Sequence, residues 1–228
     1  MKRTHTAFLL FLPVAAACGT VGYAVPGELS TTAPVPVSGR QGVLVNQRLS
    51  FGEYATDPVR RSFTRGTDEH DVLATDHGEY RQRYQFALNR GGAKVADVAC
   101  TAEGSGAQTL NVTWRSKRTL DCEVKMGSGE LRMIRLDSSR DRPLSGRVTG
   151  DPAFAVTGSD RVKGGRIDGT AGYTIARDNG SAAAAAAVDV TGNGAVFMQG
   201  AQDDAVAAIA AALLLYQDPL EASERFRR

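Results

Sequence analysis

AVAAIAAALLLY, residues Ala205 to Tyr216, is a run of twelve apolar positions with no polar residue at any helical spacing. Asp203 and Asp204 stand before it, offering side chains that cap free amides and charge that suits the positive end of a helix. Asp218-Pro219 stops it. A helix over 203–217 is predicted, roughly 18 Å long at about 1.5 Å per residue. A bilayer span takes about 20 residues, so this run is too short for one. A helix apolar on every side has to be buried on every side. Burial inside the chain's own fold therefore competes with burial against a partner subunit, and Ile209, Leu213 and Leu214 are its largest core candidates.

Upstream, the sequence alternates. Tyr80, Tyr84, Phe86 and Leu88 fall on one face of an extended segment, with Arg81, Arg83 and Gln85 on the other. That period of two marks a half-buried strand. Leu110, Val112 and Trp114 repeat it, as do Leu120, Cys122, Val124 and Met126. Gly127-Ser128-Gly129 then leads into Leu131–Leu136, and Gly192-Asn193-Gly194 separates Val188–Thr191 from Ala195–Met198; both read as hairpins. Weaker runs, among them Val43–Asn46, Leu49–Tyr54 and Leu144–Thr149, bring the total to around a dozen short strands. Ala182–Ala187 reads as a small-residue strand facing something bulky, although alanine alone favours helix. The fold class is mainly β. About twelve antiparallel strands followed by one all-apolar helix suggest a closed barrel wrapped around a buried C-terminal helix.

That order resembles the tubby-like fold, shared by the plant LURP-one-related and phospholipid-scramblase proteins. The helix Ala205–Tyr216 and the AVFMQ strand before it, Ala195–Gln199, carry the resemblance. It implies a twelve-stranded barrel enclosing the helix. An export signal and a cysteine pair suited to a disulfide set this chain apart, so the cytoplasmic phosphoinositide binding of some family members is not carried over.

The other end of the chain, MKRTHTAFLLFLPVAAAC, has Lys2 and Arg3, an apolar run from Ala7 to Ala17, and then Cys18. This is the layout of a secretory signal peptide over residues 1–17. Ala16, Ala17 and Cys18 resemble the lipobox of bacterial lipoproteins, which implies lipidation of Cys18 and anchoring to a membrane. Gly19 stands where an Asp favours the inner membrane in that family, which leans the address toward the outer membrane facing the periplasm. Residues 18–38 are rich in Gly, Pro, Ser and Thr and are expected to be a flexible, lipidated tether. A single domain over 39–228 is expected to follow, its length enough for one proper core.

Without the signal, 25 basic residues face 25 acidic ones, since the leader holds two of the 27 cations and no acid. A neutral chain has no general electrostatic attraction for nucleic acid. Setting Cys18 aside leaves Cys100 and Cys122, an even pair that most simply forms a disulfide in an oxidising compartment; two separate buried thiols are the alternative. The closed loop of about 22 residues is worth roughly 3 kcal/mol.

Chemistry is sparse. His70 and His77 sit in GTDEHDVLATDHGEY with Asp71 and Asp76, a set that could ligate zinc and that serves equally as a solvated acidic loop. The spacing matches no established ligand signature, and no cofactor is implied. No G-x-S-x-G elbow occurs, and Gly104-Ser105-Gly106 reads as a hairpin turn rather than a phosphate loop. Three functions compete: a non-enzymatic envelope lipoprotein that binds an envelope protein or contributes structurally, a carrier of lipid or a small hydrophobic ligand, and a hydrolase using the His70/His77 loop.

Overall fold

The computed structural model describes residues 22–39, 47–65, 69–70, 76–109, 112–139, 142–167, 169–188, 194–200 and 203–217. The strands are β1 (Val35–Ser38), β2 (Ser50–Phe51), β3 (Tyr54–Thr56), β4 (Arg60–Arg65), β5 (Glu69–His70), β6 (Asp76–Arg90), β7 (Ala93–Thr109) and β8 (Val112–Met126). They continue as β9 (Leu131–Ser139), β10 (Ser145–Thr149), β11 (Phe154–Ser159), β12 (Arg161–Val162), β13 (Gly165–Arg166), β14 (Gly172–Arg177), β15 (Ala182–Val188) and β16 (Gly194–Met198). One helix, α1 (Asp204–Leu215), follows them all.

Twelve strands pair antiparallel in the order β3-β2-β1-β16-β15-β14-β11-β10-β9-β8-β7-β6, and β6 returns to β3 through Leu88, Asn89 and Arg90. The barrel is closed. Not all of its strands are short: β6, β7 and β8 run for 15, 17 and 15 residues. The lower part of β6 shares its other edge with β4, through Tyr80 to Gln85, and β5 pairs beyond it. β12 and β13 form a separate hairpin.

The alternation resolves as two faces of one wall. Tyr80, Tyr84, Phe86 and Leu88 are buried, as are Leu120, Cys122 and Val124, while Arg81, Arg83 and Gln85 face solvent. Both hairpins form, with β8 pairing β9 and β15 pairing β16. At the first, Gly129 takes φ +88°, a conformation only glycine adopts without strain. Gly146 is required for a different reason: a Cβ there would stand 2.1 Å from the Arg135 carbonyl oxygen across the β9–β10 pair.

The helix fills the lumen. Every residue from Ala205 to Leu215 is buried, and Ile209 is wholly inaccessible. Ala183, Ala184 and Ala186 of β15 belong to the same buried core as α1, so the small-residue strand read from Ala182–Ala187 packs on its inner side against the helix. Asp203 caps α1 by accepting from the Ala205 and Val206 amides at 2.9 and 3.2 Å. At the far end the Tyr84 hydroxyl donates to the Ala212 carbonyl and the Arg61 guanidinium to that of Leu215, both at 2.8 Å. An acid at the amino end and a cation at the carboxyl end both complement the helix dipole.

Cys100 and Cys122 are cross-strand partners on the inner face of β7 and β8 and are bonded, with an S–S distance of 2.14 Å. Two expectations are corrected. Gly104-Ser105-Gly106 is no turn: it lies inside β7, where the register slips between Ser105 and Gly106 as a bulge. The tether expected through Ser38 is, from Gly22 onward, part of the domain. Tyr23 bridges Val162 and its hydroxyl meets Thr174 Oγ1 at 2.9 Å, Leu29 is fully buried, and Val35–Ser38 is a barrel strand between β16 and β2. Average composition hid four well-placed apolar side chains, those of Tyr23, Leu29, Val35 and Val37, each of which finds a partner. Val43–Asn46 lies outside the described residues.

Candidate functional site

With the lumen occupied, any recognition falls to the ends and the outside of the barrel. Two buried arginines stand out that alternation could have revealed, since Arg132 shares its parity with Ile134 and Leu136, and Arg118 with Leu120 and Cys122. Arg132 donates to the Asp151 and Pro152 carbonyls at 2.6 Å each, pairs with Glu130 at 2.8 Å, and lies over the Phe154 ring. Arg118 donates to Ser138 Oγ and to the Arg142 carbonyl. Each guanidinium ties down a connection, Arg132 the one between β10 and β11 and Arg118 the one between β9 and β10.

The helix ends are polar, and the tyrosines that meet them, Tyr54 and Tyr84, are buried. The Tyr54 hydroxyl donates to Asp204 Oδ1 at 2.8 Å, and Arg90 approaches the same oxygen at 3.4 Å. Burial, reinforced by the Asp204 carboxylate, pushes the Tyr54 hydroxyl well above its usual range. Burial does the same to Tyr84, against the opposing pull of Arg61. The Tyr54 and Tyr84 hydroxyls are held neutral and hydrogen-bonded, which suits structural struts at the two ends of the helix.

Outside, the wall of β4 and β6–β9 carries two open clefts of about 570 and 520 Å³. Thr64, Arg81, Glu103, Lys117 and Thr119 line the first. Arg60, Ser62, Arg83, Thr101, Asp121 and Met133 line the second. Register sets opposite charges in rows, as in Arg81–Glu103 at 2.6 Å and Arg83 opposite Thr101 and then Asp121. The face has no single sign, so it selects neither anions nor cations as a class.

A different surface lies over β14 and β15. There Tyr23, Leu29, Val162, Ala171, Ala182 and Ala185 form a second apolar cluster on the outside of the barrel. Gly22 to Val25 and the β12–β13 hairpin lie across it, locked by the Ala24 amide to the Arg161 carbonyl at 3.2 Å and the Lys163 amide to the Gly22 carbonyl at 2.9 Å. The hairpin projects Arg161, Lys163 and Arg166, all exposed. Sequence reasoning missed this surface. The one available signal was Tyr23, an aromatic residue amid Gly and Pro.

The sequence-derived residues fall as follows. Ile209, Leu213 and Leu214 are central to the core, and Cys100 and Cys122 are bridged. Cys18 and Asp71 lie outside the described residues. The β5–β6 register sets His70 opposite Asp76 and Glu69 opposite His77, so each histidine stands across from a carboxylate residue and the two histidines are not partners. Among the described residues no three His, Cys, Asp or Glu side chains converge as a metal-binding group. Comparison of the chain with models of known families, with curated proteins and with solved structures finds no match.

Proposed function

We propose that this chain is an exported envelope lipoprotein, lipidated at Cys18, whose barrel is a non-enzymatic binding or structural module working through its outer surface. The observation that carries the reading is the filled lumen: α1, buried along its whole length, occupies the space a ligand would need. This disfavours a carrier of lipid or a small hydrophobic ligand. The Cys100–Cys122 bridge supports export, because such bonds persist in oxidising compartments. Gly19 after the cysteine supports the outer membrane, with the domain on the periplasmic side. The enclosed helix supports kinship with the tubby-like proteins.

Growing bacteria that express the full chain with labelled palmitate tests the anchor. Label is expected on the wild type in the membrane fraction and is expected to be absent from Cys18→Ser. An unlabelled wild type sinks the lipoprotein reading. Native mass spectrometry of the extracted protein tests the rest: a bound lipid beyond the acyl chains at Cys18 would restore the carrier.

A further inference from the structure

We infer that the β12–β13 hairpin docks on an anionic phospholipid surface and fixes which side of the barrel faces the membrane. The inference rests on lipidation at Cys18, and two observations beyond that reading carry it.

The first is where the anchored chain enters the domain. Gly22 is held by its carbonyl to the Lys163 amide of the hairpin, and Tyr23 is bridged to Val162. Cys18 precedes Gly22 by four residues. Four residues reach at most about 14 Å even when fully extended. A lipid at Cys18 therefore holds the hairpin close to the headgroups, near the screening length of about 10 Å at 0.1 M salt.

The second is charge. Arg161 and Lys163 are exposed and form no ion pair among the described residues, while Arg166 pairs with Asp160 at 3.3 Å. Residues 160–168 hold three cations and two acids, Asp160 and Asp168, and the two cations nearest the Gly22 exit are those that no described acid pairs. Each cation near an anionic leaflet contributes roughly a fivefold gain in membrane association. An acyl anchor joined to a basic patch is an established way of combining two weak membrane signals into one oriented attachment. The circular strand order then sets the geometry. β14 and β15, beneath the hairpin, lie diametrically across the barrel from β6 and β7, so the charged wall of Arg81, Arg83 and Glu103 points away from the bilayer.

The test uses the full acylated chain in vesicles of phosphatidylcholine, with and without phosphatidylglycerol, and measures the rate at which an amine-reactive reagent labels each lysine. Lys163 is expected to be labelled about threefold or more slowly on phosphatidylglycerol, with the difference lost in about 1 M salt, where the screening length is about 3 Å. Lys94 and Lys125, on the far walls, are expected to be unchanged. Arg161→Gln with Arg166→Gln, two surface changes, is expected to shrink the Lys163 difference. The acyl mass on the Cys18 peptide is read from the same digest. A chain without acyl groups overturns the docking together with the anchor. An acylated chain whose Lys163 reacts equally on both vesicles overturns the docking alone.

Discussion

Ile209 stands at the middle of α1 with no accessible surface, and its truncation reports directly on whether the barrel depends on its helix. Replacing a buried isoleucine by alanine costs about 2–5 kcal/mol, depending on how far the surroundings relax into the gap. Relaxation is limited, because two of the four residues about one turn away, Ala205 and Ala212, are too short to swing into the space, which leaves only Val206 and Leu213 to move toward it. The upper half of that range, about 4 kcal/mol, is therefore expected, and Ile209→Val should cost about 1 kcal/mol. For a chain of this size each kcal/mol lowers the melting temperature by about 2–4 °C, so the alanine variant should melt roughly 8–16 °C early. Leu131→Ala is the internal control, since Leu131 is 52% exposed and its truncation should change stability by no more than about 0.5 kcal/mol. Ile209→Asp adds a buried carboxylate facing only apolar neighbours, a penalty of several further kcal/mol, and should yield no cooperatively folding protein. Calorimetry or thermal circular dichroism measures the series. An Ile209→Ala variant that melts with the Leu131→Ala control would refute the central-helix account of stability.

Replacing Cys100 and Cys122 together by alanine should destabilise the domain by roughly 3 kcal/mol, seen as an earlier urea midpoint, and an unshifted midpoint would deny the bridge its role. Tyr23, Tyr54 and Tyr84 all have hydroxyls pushed up by burial. Their contribution is fully present below the ordinary tyrosine value of about 10 and is lost as pH rises beyond it, so stability should fall in strong alkali. Absorbance titration should show these three of the six tyrosines ionising late and together with unfolding; six ordinary titrations would contradict the structure. Tyr23→Ala removes the centre of the outer apolar cluster and its bond to Thr174. Proteinase K should then cut within residues 22–34 while the barrel survives, and equal resistance to the wild type would show that the segment is held by other means.

Legibility varied with the length scale of the signal. The helix and the half-buried strands announced themselves through periodicity, because most inward positions of β6 and β8 are apolar, Gln82 and Arg118 being the polar exceptions, and Arg81, Arg83 and Gln85 mark the outward face. Closure followed from the all-apolar helix, which leaves no face that tolerates water. Strand lengths were harder to read. β7 carries Gly104 and Gly106 through a bulge, and a bulge and a turn use the same residues. The Gly22–Ser38 segment was misjudged because its packing depends on a few side chains meeting distant partners, such as Tyr23 on Val162, which an averaged composition does not register. The hairpin that meets it is likewise a product of tertiary contact, since Arg161, Lys163 and Arg166 look in sequence like any solvated basic run. The histidine loop gave a chemically plausible ligand set, yet pairing depends on register, and register belongs to the fold.

The position of α1 after the sixteen described strands has a consequence for biogenesis. A ribosome delivers the whole enclosure before it delivers the one segment the enclosure surrounds. A product cut short before residue 203 holds every described strand and none of the helix residues that fill the lumen. The barrel thus carries a check on its own completeness, because the core that Ala205 to Leu215 supply is present only once translation has passed them.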